Sequence, residues 1–375
     1  MRNYLVKYAH DYYNTRRIYS KKEQDMKRDI EEILIEWKND DHRRPLLVRG
    51  ARQVGKSYTI ENFGKKNFQH LVMINFEQYP EYKKCFTTLQ PDEIIQNISV
   101  LNKQEIIPGE TLLFLDEIQE CPQAIISLRY FYEQYSSLHV IGAGSLLEFT
   151  LKSEGMKIPV GRIQYLYMKP MSFGEFLDAT GENRARKLIQ EFSPGHPFSE
   201  AIHNHLLSSL KKYMIVGGMP GVVEEYLQSG SLEKCRRIQN SILQTYQDDF
   251  GKYARMVKHK YLIKIFHYVP VSLGNKFKYS HVDPDIQSRD LKEALGLLQR
   301  AGILHLIKRT SGYALPFEVH ASVRHFKALF LDTGLMQNMC GLSGDINFTN
   351  DILSINKGAV AEQFVGQELL GCEKR

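Results

Sequence analysis

The stretch Gly50-Ala51-Arg52-Gln53-Val54-Gly55-Lys56-Ser57 decides the reading of this chain, because it satisfies the spacing G-x-x-x-x-G-K-[ST] at every fixed position. Each fixed residue meets a demand of a phosphate cradle. Gly50 and Gly55 let the backbone curl so that successive N–H groups converge on anionic oxygens. Lys56 adds a point charge for the β- and γ-phosphates. The Ser57 hydroxyl is a Mg²⁺ ligand at a helix N-terminus, whose dipole also favours anions. Ala51, Arg52, Gln53 and Val54 supply the loop amides, and Tyr58 carries the pattern into the helix. The expected ligand is a nucleoside triphosphate with Mg²⁺.

The flanks supply the order this motif needs. Pro45-Leu46-Leu47-Val48 reads as a short buried strand, and Tyr58-Thr59-Ile60-Glu61-Asn62-Phe63 as a helix that Gly64 can end. Further on, Thr111-Leu112-Leu113-Phe114-Leu115-Asp116-Glu117 is a second apolar strand closed by two acids. Asp116 is expected to hold Mg²⁺ and Glu117 to polarise the attacking water. The competing reading of the two acids is an ordinary helix start, which carboxylates favour for dipole reasons. Further strands are expected over 70–77, 138–144 and 163–168, alternating with helices, so the predicted class is an α/β parallel sheet covered on both faces.

Two more positions bear on the site. Ser145 ends the 138–144 strand and would bring a polar side chain near the γ-phosphate; equally, Ser145-Leu146-Leu147-Glu148 spells a helix capping box. Arg162 precedes the fifth strand, where assembled ATPases present an arginine finger to a neighbouring subunit; a solvated or ion-paired arginine is the plainer reading. The finger reading implies a homo-oligomer.

Composition bounds the rest. With 375 residues, two or three domains are expected. Five widely spaced cysteines with no C-x-x-C pair argue against a disulfide framework and against zinc. No apolar run is long enough for a membrane span and no signal-peptide pattern opens the chain, so the expected location is cytoplasmic.

Taken together, Arg44 to Ser57, Leu115-Asp116-Glu117-Ile118-Gln119, Gly142-Ala143-Gly144-Ser145, Pro159-Val160-Gly161-Arg162, Gly217-Gly218-Met219-Pro220 and Phe330 to Leu335 resemble the bacterial and archaeal AAA-type P-loop ATPases that carry a C-terminal domain of unknown function. That resemblance, from about Met26 onward, implies an AAA-type core, a winged helix and a restriction-endonuclease-like domain, and it implies ATP rather than GTP. The expected organisation is a helical leader over 1–43, the AAA-type domain over 44–172, a helical region over 173–245, a winged helix over 246–320, and a truncated start of the nuclease-like domain over 321–375. Gly217-Gly218-Met219-Pro220 reads as a structural turn between helices.

Within the expected winged helix, 261–266 and 289–300 have helical spacing, and Ile303–Arg309 and Tyr313–Val319 read as strands joined across Ser311-Gly312. Residues 251–310 hold 12 Lys and Arg against 4 Asp and Glu, in a chain whose net charge is +6. This excess points to DNA through Lys276, Lys278, Arg289, Lys292, Lys308 and Arg309. A protein-docking winged helix with a solvated basic face is the alternative. At the C-terminus, Glu362 would be an outer acid of the nuclease-like domain, whose metal-binding strands are missing, and the apolar helix over 358–370 is expected to be exposed. The functional expectation is an ATPase coupled to conformational change; its rivals are a nucleotide-gated DNA-binding module and a protein-docking switch with negligible turnover.

Overall fold

The computed structural model describes residues 26–145, 147, 161–253, 256–312, 316–341 and 357–372. The first 25 residues of the expected leader, Glu148 of the expected capping box, and 313–315 of the expected second wing strand lie outside these. Five strands, β1 (Leu46–Arg49), β2 (His70–Asn75), β3 (Thr111–Asp116), β4 (His139–Gly144) and β5 (Gln164–Tyr167), form one sheet in the order β2-β3-β4-β1-β5. Every neighbouring pair is parallel. Alternate side chains feed two separate cores: Leu46, Val48, Leu112 and Phe114 point to one face, and Leu47, Leu113 and Leu115 to the other. This two-sided burial is why these strands read as continuous apolar runs rather than as alternating ones.

Helices α1 (Ile30–Asn39), α2 (Lys56–Asn67), α3 (Pro91–Asn102) and α4 (Pro122–Gln134) belong to the sheet unit. The helix α2 runs through Gly64 instead of stopping there. A Cβ at that position would lie 2.8 Å from Leu71 and 3.0 Å from Leu112, so the glycine serves close helix–sheet approach and not termination. Nor is α1 a detached leader. Leu34 and Trp37 are buried, the Trp37 indole donates to the Arg44 carbonyl at 2.7 Å, and its ring meets His139 edge-on. Burial holds the His139 imidazole down to a pKa of about 4, so this aromatic contact is made by a neutral ring.

After the sheet come α5 (Phe173–Ala179), α6 (Asn183–Gln190), α7 (Glu200–Val216), α8 (Pro220–Ser229), α9 (Leu232–Tyr253), α10 (Met256–Val271), α11 (Tyr279–Val282) and α12 (Ser288–Arg300). The antiparallel pair β6 (Leu304–Thr310) and β7 (Ala321–Phe330) follows, then α13 (Thr333–Met339) and α14 (Lys357–Gly371). Two expected boundaries divide what the structure joins. The division at 245/246 cuts α9, and that at 320/321 separates β7 from its partner β6. The second wing strand also lies later than expected: Phe317–His320 is a short 3₁₀ turn and pairing begins at Thr310 with Ala321. Pro316 lacks the N–H a ladder needs, which pushes the strand past it.

The sheet face carrying Val48 and Phe114 shares one continuous core with α7, α8, α9, α12 and the hairpin. A node of backbone contacts reinforces this union. Asp332, fully buried, accepts from Gly218 N–H at 2.6 Å and from Leu335 N–H at 2.9 Å, capping α13. Burial raises its carboxyl to a pKa of about 6, and those N–H bonds oppose the rise. Gly217-Gly218-Met219-Pro220 therefore does join two helices, α7 and α8, and its glycines exist to let Asp332 and Met171 approach.

The expectation of an exposed terminal helix needs correction. The inner side of α14 is docked: Gln363 exchanges two hydrogen bonds with the Phe330 backbone, and Gln367 accepts from Thr333 N–H and donates to the Tyr213 hydroxyl. Glu362, expected as an outer acid, pairs with Lys327 at 2.7 Å. Only the outer stripe, with Val365 and Leu369, faces solvent. Among the described residues no helix is long and apolar enough to cross a membrane, and no three His, Cys, Asp or Glu side chains gather as a metal cluster.

Candidate nucleotide site

The glycine loop leaves the C-terminal end of β1 and turns into α2. Gly50 and Gly55 both have positive φ, +150° and +96°, and Gln53 joins them at +64°. A Cβ on Gly50 would come closer to the Met168 carbonyl than the 3.0 Å real Cβ atoms respect, so the backbone just after β5 enforces glycine there. Lys56 is buried. Its ammonium donates to the carbonyls of Gly50 at 3.0 Å and Ala51 at 2.8 Å, inside its own loop. Burial lowers its pKa to about 8, against the pull of Glu117 and Asp116.

The strand β4 separates β1 from β3, and all three end at the same edge. Asp116 therefore arrives opposite the start of α2, where the Ser57 hydroxyl donates to its Oδ1 at 3.0 Å. Asn75, at the end of β2, donates to Oδ2 at 3.0 Å. Burial and the neighbouring Glu117 hold the Asp116 carboxyl above its usual range, while the Ser57 and Asn75 bonds oppose this. A hydroxyl and a carboxylate held side by side are hard oxygen donors, and they fit Mg²⁺ shared with phosphate oxygens. Glu117 sits at φ +47°, and the Gln119 side-chain amide donates to its carboxylate at 2.5 Å. Ser145 is buried at the end of β4, as the sheet reading expects, and its Oγ has no hydrogen-bond partner. It makes no capping bond among the described residues.

The other expected residues behave differently. Tyr58 is exposed on α2. Arg162 lies at the N-terminal end of β5, the edge of the sheet opposite the loop, and pairs with Glu133 at 3.0 Å. The structure does not bring it to this chain's own loop. Arg52 offers its guanidinium to Asp249 on α9, Nη1 lying 2.9 Å from each carboxylate oxygen.

Four contacts on the loop were not visible in sequence. The Arg52 carbonyl accepts from the Tyr246 hydroxyl at 2.8 Å, and Gly302 sits against Ala51, where a Cβ would lie 3.4 Å from the Ala51 nitrogen. Pro220 packs at Gly55. Buried Arg28 donates to the Val54 carbonyl at 3.0 Å, to the Lys169 carbonyl at 2.8 Å, and to Glu175 at 2.9 Å. Asn75 and Gln119 left a trace, a polar residue closing an apolar strand and a glutamine two places after the acids. Arg28 left none, since Glu175 is 147 positions away.

A family model described as "AAA domain" matches residues 42–177. The chain carries an AAA domain. A second model, for a domain of unknown function, matches residues 207–346, so Pro220, Tyr246, Asp249 and Gly302, which touch the glycine loop, fall in that segment. No curated protein matches the chain. Among solved structures, the Aeropyrum pernix ORC1 protein in complex with DNA is similar at 13% identity over 83% of this chain and 90% of that one, TM-score 0.29. The Aeropyrum pernix ORC2 protein in its ADPNP–ADP complexes is similar at 10% identity over 80% and 88%, TM-score 0.38. The Thermotoga maritima RuvB Holliday junction branch migration motor is similar at 15% identity over 76% and 89%, TM-score 0.32.

Proposed function

We propose that the chain is a Mg²⁺-dependent ATPase whose loading state is passed from the glycine loop to the helices that cover it. The observation that carries this reading is the convergence of Lys56, Ser57, Asp116 and Glu117 at one sheet edge, where the Ser57–Asp116 bond supports a metal-binding role for the pair. Lys56 and the loop amides would hold the triphosphate, Ser57 and Asp116 the metal, and Glu117 the attacking water. The metal supplies charge neutralisation on the phosphates when bound. Entry of phosphate must draw the Lys56 ammonium off the Gly50 and Ala51 carbonyls. Those carbonyls belong to the same short loop that Tyr246, Asp249 and Gly302 touch, which gives the coupling a physical path. Arg162 remains available as a finger toward a second copy of the chain.

Phosphate release from Mg-ATP by the native chain, beside Lys56→Ala, tests the reading. The native chain should release phosphate and bind nucleotide, and Lys56→Ala should lose both. Native binding without turnover above the Lys56→Ala background would favour the nucleotide-gated switch instead.

The basic region supports a DNA partner. Lys276, Lys278, Arg289, Lys292, Lys308 and Arg309 are all exposed. Phe277 N–H donates to the Phe326 carbonyl, and Phe326 stands opposite Lys308 in the hairpin, so Lys276 and Lys278 flank the same row as Lys308. Contact with about six phosphates should cost roughly 10³-fold in affinity for duplex DNA between 50 and 200 mM salt. A flat salt response, or no binding at low salt, would leave protein docking as the role of this surface.

A further inference from the structure

We propose that Gln119 is a positioning residue of the hydrolytic site, holding the Glu117 carboxylate in its working direction with its amide braced on the bare Cα of Gly144. The inference rests on the ATPase reading and adds a residue to it. Glu117 needs such a hold because its left-handed backbone is strained for a side-chain-bearing residue and persists only where neighbours over-determine it.

The neighbours are specific. Gln119 follows Glu117 through the short turn Ile118–Glu120, is itself buried, and spends its Nε2 on the Glu117 carboxylate. Its carbonyl Oε1 is also buried and has no hydrogen-bond partner. That oxygen lies against Gly144, so close that a Cβ there could not coexist with it. The next residue, Ser145, carries the other unpartnered buried oxygen of this edge. Two orphaned polar atoms in a native core ordinarily mark a place where a further polar group is handled. Here they flank the one carboxylate assigned to the attacking water. Gln119 thus joins the end of β3 to the end of β4: Nε2 holds Glu117, and Oε1 lies against Gly144, next in sequence to Ser145.

Gly144→Ala is the informative partner of Gln119→Ala, since the new methyl group must push the Gln119 amide aside without altering any polar group. Steady-state Mg-ATP turnover and nucleotide affinity would be measured for both, with Gln119→Glu added for its pH–rate profile. Both first variants should lose between about 10- and 100-fold in kcat with nucleotide affinity within about twofold of native. In Gln119→Glu the new charge beside Glu117 should move the acid limb of the profile to higher pH, an effect that mere packing would not produce. Native-like kcat in Gln119→Ala, or an unmoved acid limb in Gln119→Glu, would overturn the proposal while the ATPase reading stood. Absence of native turnover would overturn both.

Discussion

Glu117→Gln should stop turnover, with kcat falling about 10²- to 10⁴-fold while nucleotide affinity stays close to native. The substitution keeps the size of the side chain and leaves an oxygen to accept from Gln119, so the turn after β3 is retained. What disappears is the carboxylate proposed to act on the attacking water. The Ser57–Asp116 pair, proposed to hold the metal, is untouched. Paired measurements of phosphate release and of nucleotide titration separate the two effects. Turnover equal to native would remove Glu117 from the chemistry and return it to the role of an acidic helix start.

The second large effect is on stability. Gly218→Ala should destabilise the chain by about 3 kcal/mol or more, at the upper end of overpacking costs, because a buried donor is lost as well. The added Cβ would lie 2.8 Å from the Met171 nitrogen and closer still to its carbonyl oxygen. Both are backbone atoms, so no side chain can swing away. Either the link into α5 shifts or the turn into α8 does, and the second breaks the 2.6 Å bond from Gly218 N–H to Asp332. Gly221, three residues on in α8, has nothing within 4 Å of its would-be Cβ, and Gly221→Ala should be neutral or slightly stabilising. Thermal melts of the two variants should therefore separate by roughly 5 °C. If they coincide, the Asp332 node is not what joins the sheet unit to the helices behind it.

Local chemistry was legible in the sequence and distant chemistry was not. The run from Leu46 to Ser57 declares strand, loop and helix because the spacing itself is the constraint, and the acids closing β3 declare themselves in the same way. Gly64 misled for the same reason: a glycine after a helical pattern signals an end, and only the packing of Leu71 and Leu112 shows why this one continues. In the hairpin, β6 does end just before Ser311-Gly312, but propensity could not say that the ladder would wait until Ala321. The node around Asp332 appeared as two unconnected motifs, since nothing in either spells the other. Arg28, Tyr246 and Asp249 carried no signal of their own until the fold set them on the loop.

Tyr246 and Asp249 meet the loop across 194 and 197 positions of chain. Synthesis runs from the N-terminus, at about 5–20 residues per second, and early units fold as they emerge. The five-stranded sheet can assemble once β5 leaves the ribosome, while the helix that braces Arg52 is still being translated. For several seconds the newborn glycine loop is uncovered, and any ligand meeting it then would find the cradle without the helix that later braces Arg52.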